Sequence, residues 1–73
     1  MRGNMEILAP LSGKIIRIEI KVGATVKEDD EAFIIEAMKM ETPINVPCDG
    51  VVKEIRVAEG DDVEADQVLA VIG

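Results

Sequence analysis

Pro10-Leu11-Ser12-Gly13-Lys14-Ile15-Ile16-Arg17-Ile18-Glu19-Ile20-Lys21-Val22-Gly23 returns 37 positions later as Pro47-Cys48-Asp49-Gly50-Val51-Val52-Lys53-Glu54-Ile55-Arg56-Val57-Ala58-Glu59-Gly60. Proline, both glycines and an isoleucine coincide. The correspondence runs without a gap from Ile7–Glu36 onto Ile44–Gly73 and adds the identities Ile7/Ile44, Val26/Val63 and Asp29/Asp66. Gly13 and Gly50 each follow a proline by three residues, which suits a turn in which proline fixes one backbone angle and glycine supplies a positive one. Gly23 and Gly60 punctuate the next corner. Between these turns Lys14–Lys21 alternates, with Ile16, Ile18 and Ile20 expected on one face and Arg17, Glu19 and Lys21 on the other, the pattern of a half-buried β-strand. Its copy, Val51–Ala58, keeps the alternation at Ile55 and Val57 but has Lys53 in place of Ile16, so it is expected to be more exposed near its start.

Met5–Ala9, Ala32–Ala37, Met40–Val46 and Gln67–Ile72 are further strand candidates, each short and β-branched or bounded by turn signals. Closely spaced short strands indicate an all-β sandwich or barrel. A repeat of about 30 residues cannot bury its own apolar face and is expected to pack against its copy. The fold expected is therefore all-β: a flattened barrel-sandwich of two antiparallel sheets with about eight short strands, related by a quasi-two-fold. The whole of residues 1–73 is read as one domain, with internal repeats 7–36 and 44–73.

The segment joining the repeats, Ala37–Pro43, carries Lys39 close to the centre of the duplication, at the expected tip of a linking hairpin. Glu36-Ala37-Met38-Lys39-Met40-Glu41 consists of strong helix formers, and a helix over Asp29–Thr42 ended by Pro43 is the structural alternative. The register of the duplication opposes it, because Ala32–Ile35 aligns with the strand-like Leu69–Ile72. Conflict between local preference and global fold is expected most at functional sites.

At 73 residues the chain can bury only about 60% of the surface its unfolded form exposes, which leaves one thin core. Cys48 is the sole cysteine; it cannot form an internal disulfide and is expected to be a small apolar filler in a reducing cytoplasm. The net charge of -7 and the single aromatic residue, Phe33, disfavour nucleic-acid binding, which begins with basic patches and uses stacking platforms. No apolar run approaches the roughly 20 residues needed to span a bilayer, so direct membrane insertion is not expected. Met1-Arg2-Gly3-Asn4 lacks the apolar stretch and cleavage site of a signal peptide, and residues 1–4 are expected to be a frayed or appended end.

The acidic runs 28–31 and 59–66 do not fit a calcium loop, because Asp66 and Ile72 stand where counting from Asp61 would need glycine and glutamate. No metal site is expected, and the runs are read as solvated corners that aid solubility. There is no histidine, Ser12 is the only serine, and no glycine-rich phosphate loop is present, so a self-sufficient enzyme is disfavoured.

Ala37-Met38-Lys39-Met40, with the upstream turn Ala9-Pro10-Leu11-Ser12-Gly13 and its partner Ile44-Asn45-Val46-Pro47-Cys48-Asp49-Gly50, resembles the biotinyl domain or biotin carboxyl carrier family over nearly the whole chain. The resemblance implies covalent biotin on Lys39, attached by a biotin protein ligase. It also implies partner biotin carboxylase, carboxyltransferase or decarboxylase subunits, between whose active sites the tethered biotin carries a carboxyl group. The related lipoyl domains usually flank the lysine with aspartate and alanine, so Met38 and Met40 favour biotin. Asp29 and Asp66 stand where the family often has glycine, and aspartate tolerates left-handed backbone angles. There is no room for the protruding thumb of many bacterial acetyl-CoA carboxylase carriers. The chain looks more like carriers of acyl-CoA or oxo-acid carboxylases, transcarboxylases and decarboxylases.

Each residue of the motif also has a plain reading. A turn lysine is ordinarily just solvated, and at pH 7 a lysine amine is neutral in only about one molecule in 2,500. Selective modification must therefore come from the ligase. Methionines are ordinarily core filler, but at a hairpin tip Met38 and Met40, with Ala37 beside them, are read as recognition elements. Glu36 and Glu41 either contact the ligase or stay hydrated. A lipoyl carrier and an unmodified assembly module are the competing functions.

Overall fold

The computed structural model describes residues 3–73. Among the described residues eight strands form: β1 (Met5–Leu8), β2 (Gly13–Ile18), β3 (Thr25–Val26), β4 (Glu31–Ala37), β5 (Met40–Asn45), β6 (Gly50–Ile55), β7 (Asp62–Val63) and β8 (Val68–Ile72). There is no helix among the described residues, so the helical alternative over 29–42 is overturned. The end expected to fray at residues 1–4 falls partly on Met1 and Arg2, outside the described residues; Gly3 and Asn4 are exposed and irregular.

Two four-stranded antiparallel sheets run in the orders β1-β8-β6-β3 and β5-β4-β2-β7. Advancing β1, β2, β3 and β4 by 37 residues superposes them on β5, β6, β7 and β8, and the same exchange turns one sheet order into the other. Each sheet draws two strands from each half. The halves therefore interlock, and neither half is a sheet by itself. Loop hydrogen bonds repeat at the same interval: Asp29 N donates to Val46 O at 2.9 Å and Asp66 N to Ala9 O at 2.8 Å. Both aspartates lie at positive φ, 73° and 69°, the left-handed conformation that aspartate was expected to tolerate.

Duplicate positions also fill the core. Ile15 with Val52 and Ile35 with Ile72 are buried pairs, whereas Ala32-Phe33 in one half answers Leu69-Ala70 in the other. A small-large order meets a large-small order, which helps two similar halves fill one thin interior at close-packed density. No buried polar or charged residue occurs among those described.

Three expectations need correction. Strand β2 ends at Ile18 and β6 at Ile55, short of the expected Lys21 and Ala58. Ile16 does not share an inward face with Ile18 and Ile20: the β2–β4 register slips between Ile15 and Arg17, leaving Ile16 as the extra residue of a β-bulge. Ile15 becomes the fully buried residue and Ile16 only half-buried, since a bulge shifts the phase of a strand by one residue. The copy slips at the same place, between Val52 and Glu54. Lys53 is thus exposed at a bulge, with buried Val52 before it. Finally, Gly13 and Gly50 lack the positive φ expected of them; among the described glycines Gly23 and Gly60 have it, at 91° and 95°.

Close approach is what Gly13 and Gly50 provide. A Cβ at Gly13 would lie 2.5 Å from the Glu36 carbonyl oxygen, and one at Gly50 would lie 2.8 Å from Ile72 Cγ2 and 3.0 Å from the Gly73 carbonyl oxygen. At Gly23 a Cβ would meet nothing within 4 Å. Gly13→Ala is accordingly expected to cost about 3 kcal/mol through forced backbone movement, whereas Gly23→Ala pays only left-handed strain of about 1–2 kcal/mol. Urea unfolding of both variants checks the order.

Candidate functional site

Strands β4 and β5 form the hairpin that joins the two halves, paired from Glu31↔Asn45 up to Ala37↔Met40. Only Met38 and Lys39 lie between the strands, with φ of 53° and 65°. Two consecutive positive φ values in a two-residue loop define a type I′ turn, whose twist matches the flanking strands and whose usual occupants are asparagine and glycine. Here both positions hold side chains for which the left-handed conformation costs about 1–2 kcal/mol each. The paired strands below hold the turn against this preference, overriding the helical propensity of 36–41. Strain of this kind concentrates at functional sites, and its observation motivates a functional reading of this turn.

The turn brings all six sequence-selected residues together. Glu36 faces Glu41 across the hairpin, Ala37 faces Met40, and Met38-Lys39 closes the loop. Lys39 is exposed. The ion pairs found among the described residues are Arg17–Glu19 and Arg56–Glu54, and Lys39 enters neither. Met38 is 91% exposed and Met40 68%. Neither fills the core, which removes the ordinary reason for a methionine. Glu36 and Glu41 are both exposed and directly opposite one another, a like-charge arrangement that does not help the sheet.

Gly13 and Lys14 escaped selection although both support this end of the hairpin. Lys14 pairs with Glu36 in register on the side away from Glu41. The tight contact of Gly13 with Glu36 and Ala37 lets β2 close under the turn. The recurrence of Gly13 as Gly50 is the signal of this role in the sequence, although the preceding prolines point to a turn requirement instead.

Chemically the site offers one primary amine at a projecting tip. A depression of about 700 Å³ lined by Gly3, Cys48, Lys53, Gly73 and neighbours shares no residue with 36–41. Among the described residues no three acidic or thiol side chains converge as a metal site. The acidic runs do more than solvate corners. Asp30 and Asp61 accept backbone N–H bonds from Lys27 and Ala58, each at 2.9 Å, and Glu59 accepts one from Ile18 at 3.0 Å. No helix among the described residues is long and apolar enough to cross a membrane.

The family described as "Biotin-requiring enzyme" matches residues 5–72. Among curated relatives, a pyruvate carboxylase of Staphylococcus aureus is 41% identical over 61 residues, which are 84% of this chain and 5% of that protein. A biotin/lipoyl attachment protein of Bacillus subtilis is 35% identical over 65 residues, 89% of either chain. Among solved structures, the Kluyveromyces lactis urea carboxylase covers the whole chain with a TM-score of 0.91 at 32% identity, using 6% of its own length. The chain thus spans about a twentieth of the carboxylases it resembles.

Proposed function

The chain belongs to the attachment-domain family of biotin-requiring enzymes, and within that family we propose that it carries biotin on Lys39. It is a biotin carboxyl carrier domain, a carrier and not a catalyst. The observation that carries the assignment of Lys39 is the strained Met38-Lys39 turn, which holds an exposed amine at the tip of a six-pair hairpin. Residues 1–73 are taken as one attachment domain with repeats 7–36 and 44–73.

In the proposed attachment step a biotin protein ligase presents biotin as its acyl-adenylate. The neutral amine of Lys39 attacks the acyl carbonyl, AMP leaves, a proton is lost, and an amide replaces the lysine charge. Met38 and Met40, with Ala37 and the carboxylates Glu36 and Glu41, form the surface that the ligase reads. Projection matters because the hairpin delivers Nζ into another protein's active site while the core stays fixed. Biotin, once bound, supplies a ureido nitrogen that accepts and releases a carboxyl group. This chain contributes position and reach, and tethering raises the effective concentration at each active site visited.

The partners proposed are biotin carboxylase and carboxyltransferase or decarboxylase modules, and the setting proposed is the cytoplasm, in keeping with the free thiol of Cys48. Intact mass tests the reading. After exposure to purified biotin ligase and, separately, lipoyl ligase, one biotinyl increment and no lipoyl increment is expected. A lipoyl increment would assign the chain to the other cofactor, and neither increment would make it an unmodified module.

A further inference from the structure

Given that the chain carries biotin on Lys39, the lysine-bearing sheet has a second surface besides the attachment turn. A shallow depression of about 250 Å³ on the sheet β5-β4-β2-β7 is lined by Ile16, Arg17, Glu19, Glu31, Ile34 and Glu41. Ile16 and Ile34 are half-buried, and the four charged residues are exposed. The depression continues into the attachment hairpin, since Glu41 follows Met40 and Glu31 begins the strand that leads to the turn.

The duplication supplies an internal control for this surface. Thirty-seven residues away, on or beside the other sheet, the same positions hold Lys53, Glu54, Arg56, Val68, Val71 and Asn4. Arg17 and Glu19 answer Glu54 and Arg56, so each half keeps one ion pair with reversed polarity and no net difference. The other differences run one way: Ile16 for Lys53, Glu31 for Val68 and Glu41 for Asn4 each make the lysine-bearing side more negative by one charge. Ile16 also replaces a cation with apolar surface at a bulge that accepts either residue. Of the two duplicate surfaces, the one on the lysine-bearing sheet is the more acidic and has an apolar residue at the bulge.

We propose that this depression is the docking surface for the biotin carboxylase partner, the ATP- and bicarbonate-dependent one that loads the tethered biotin, and that this partner offers an apolar side chain ringed by arginine or lysine. The far end of the depression favours that partner over the ligase. Glu31 lies eight residues from Lys39 along the chain, about 25 Å of extended strand, well beyond the residues 36–41 assigned to the ligase. A polar rim around a small apolar centre also suits a carrier that must leave again, because charged rims act mainly on the association rate.

The test installs residues the fold already carries at the duplicate positions. Ile16→Lys with Glu31→Val leaves residues 36–41 untouched. Both parent and variant are biotinylated with purified ligase. They are then assayed as substrates for ATP- and bicarbonate-dependent carboxylation by a partner purified from the source cell by its activity on the biotinylated parent. The variant is expected to show about a tenfold higher KM at unchanged kcat, a loss typical of a few interface residues, with unchanged ligation rate and a cooperative unfolding transition. Raising salt from about 50 to 500 mM should raise the parent's KM much more than the variant's. The mirror variant, Lys53→Ile with Val68→Glu, should leave KM alone. Should the double variant unfold, Glu31→Gln alone is expected to raise KM about two- to threefold with the same weakened salt dependence. An unchanged KM in the folded variant overturns the docking surface while leaving the carrier reading intact. A ligation rate that falls by the same factor assigns the depression to the ligase instead, and a parent that accepts no biotin overturns both readings together.

Discussion

Exchanging Met38 and Lys39 is expected to abolish biotin incorporation, although composition, charge and an exposed lysine in the same turn are all retained. Both turn positions hold ordinary L-residues at positive φ, 53° and 65°, so the exchange substitutes one strained side chain for another and leaves the backbone cost about the same. Direction changes instead. Neighbouring residues project differently from the flanking strands, and the amine moves one residue along a two-residue loop. A ligase must bring that amine to about 3–3.5 Å from an activated carbonyl, and a 1 Å displacement can cost on the order of a hundredfold in rate. A time course of incorporation with purified ligase, with circular dichroism to establish folding, decides the point. Labelling of the folded variant at residue 38 at the parental rate would contradict a mechanism based on geometry.

Phe33→Ala is the substitution expected to damage the fold most. Phe33 is fully buried and is the only aromatic residue, set in register between Ile18 of β2 and Ile44 of β5. Truncating a buried phenylalanine costs about 3–5 kcal/mol through lost transfer energy and the cavity left behind. A domain of this length has a total stability of only about 4–11 kcal/mol. Its duplicate position is already Ala70, so the variant would have a small residue at both sites and nothing to fill the gap. Equilibrium urea unfolding should show the midpoint reduced by at least about a quarter, or no native baseline. A loss below about 1 kcal/mol would mean that the interlocked halves can collapse around the missing ring.

The 37-residue recurrence made the architecture readable, because proline and glycine corners repeat at fixed intervals and each apolar run has a copy to confirm it. Lys39 at a tip followed from the same register, against the helix propensity of 36–41. Four features resisted. Ile15-Ile16 is an apolar pair, and a chain that also has Ile18 and Ile20 can be threaded with either residue inward; only a bulge, which changes phase without a residue-type signature, decides for Ile15. Strands β3 and β7 have two residues each, too short for any alternation to appear. Gly13 and Gly50 looked like turn formers because they follow prolines, whereas their requirement comes from the strand ends at Glu36 and Gly73, distant in sequence. The Lys27–Asp30 and Ala58–Asp61 bonds have local spacing that could be anticipated, but the bond from Ile18 to Glu59 spans 41 residues and could not.

The central claim is that one amine, on Lys39, receives biotin, and Lys39→Arg tests it most directly. Arginine keeps the charge and the length of the turn side chain, yet its guanidinium is effectively never neutral and cannot attack the activated acyl group. With the tip exposed and the core untouched, circular dichroism and thermal unfolding of the variant should match the parent. After incubation with purified biotin ligase, the parent should bind avidin at one biotin per chain and the variant should not bind at all. Avidin binding by the folded variant would show that another residue is the attachment site and would contradict the account.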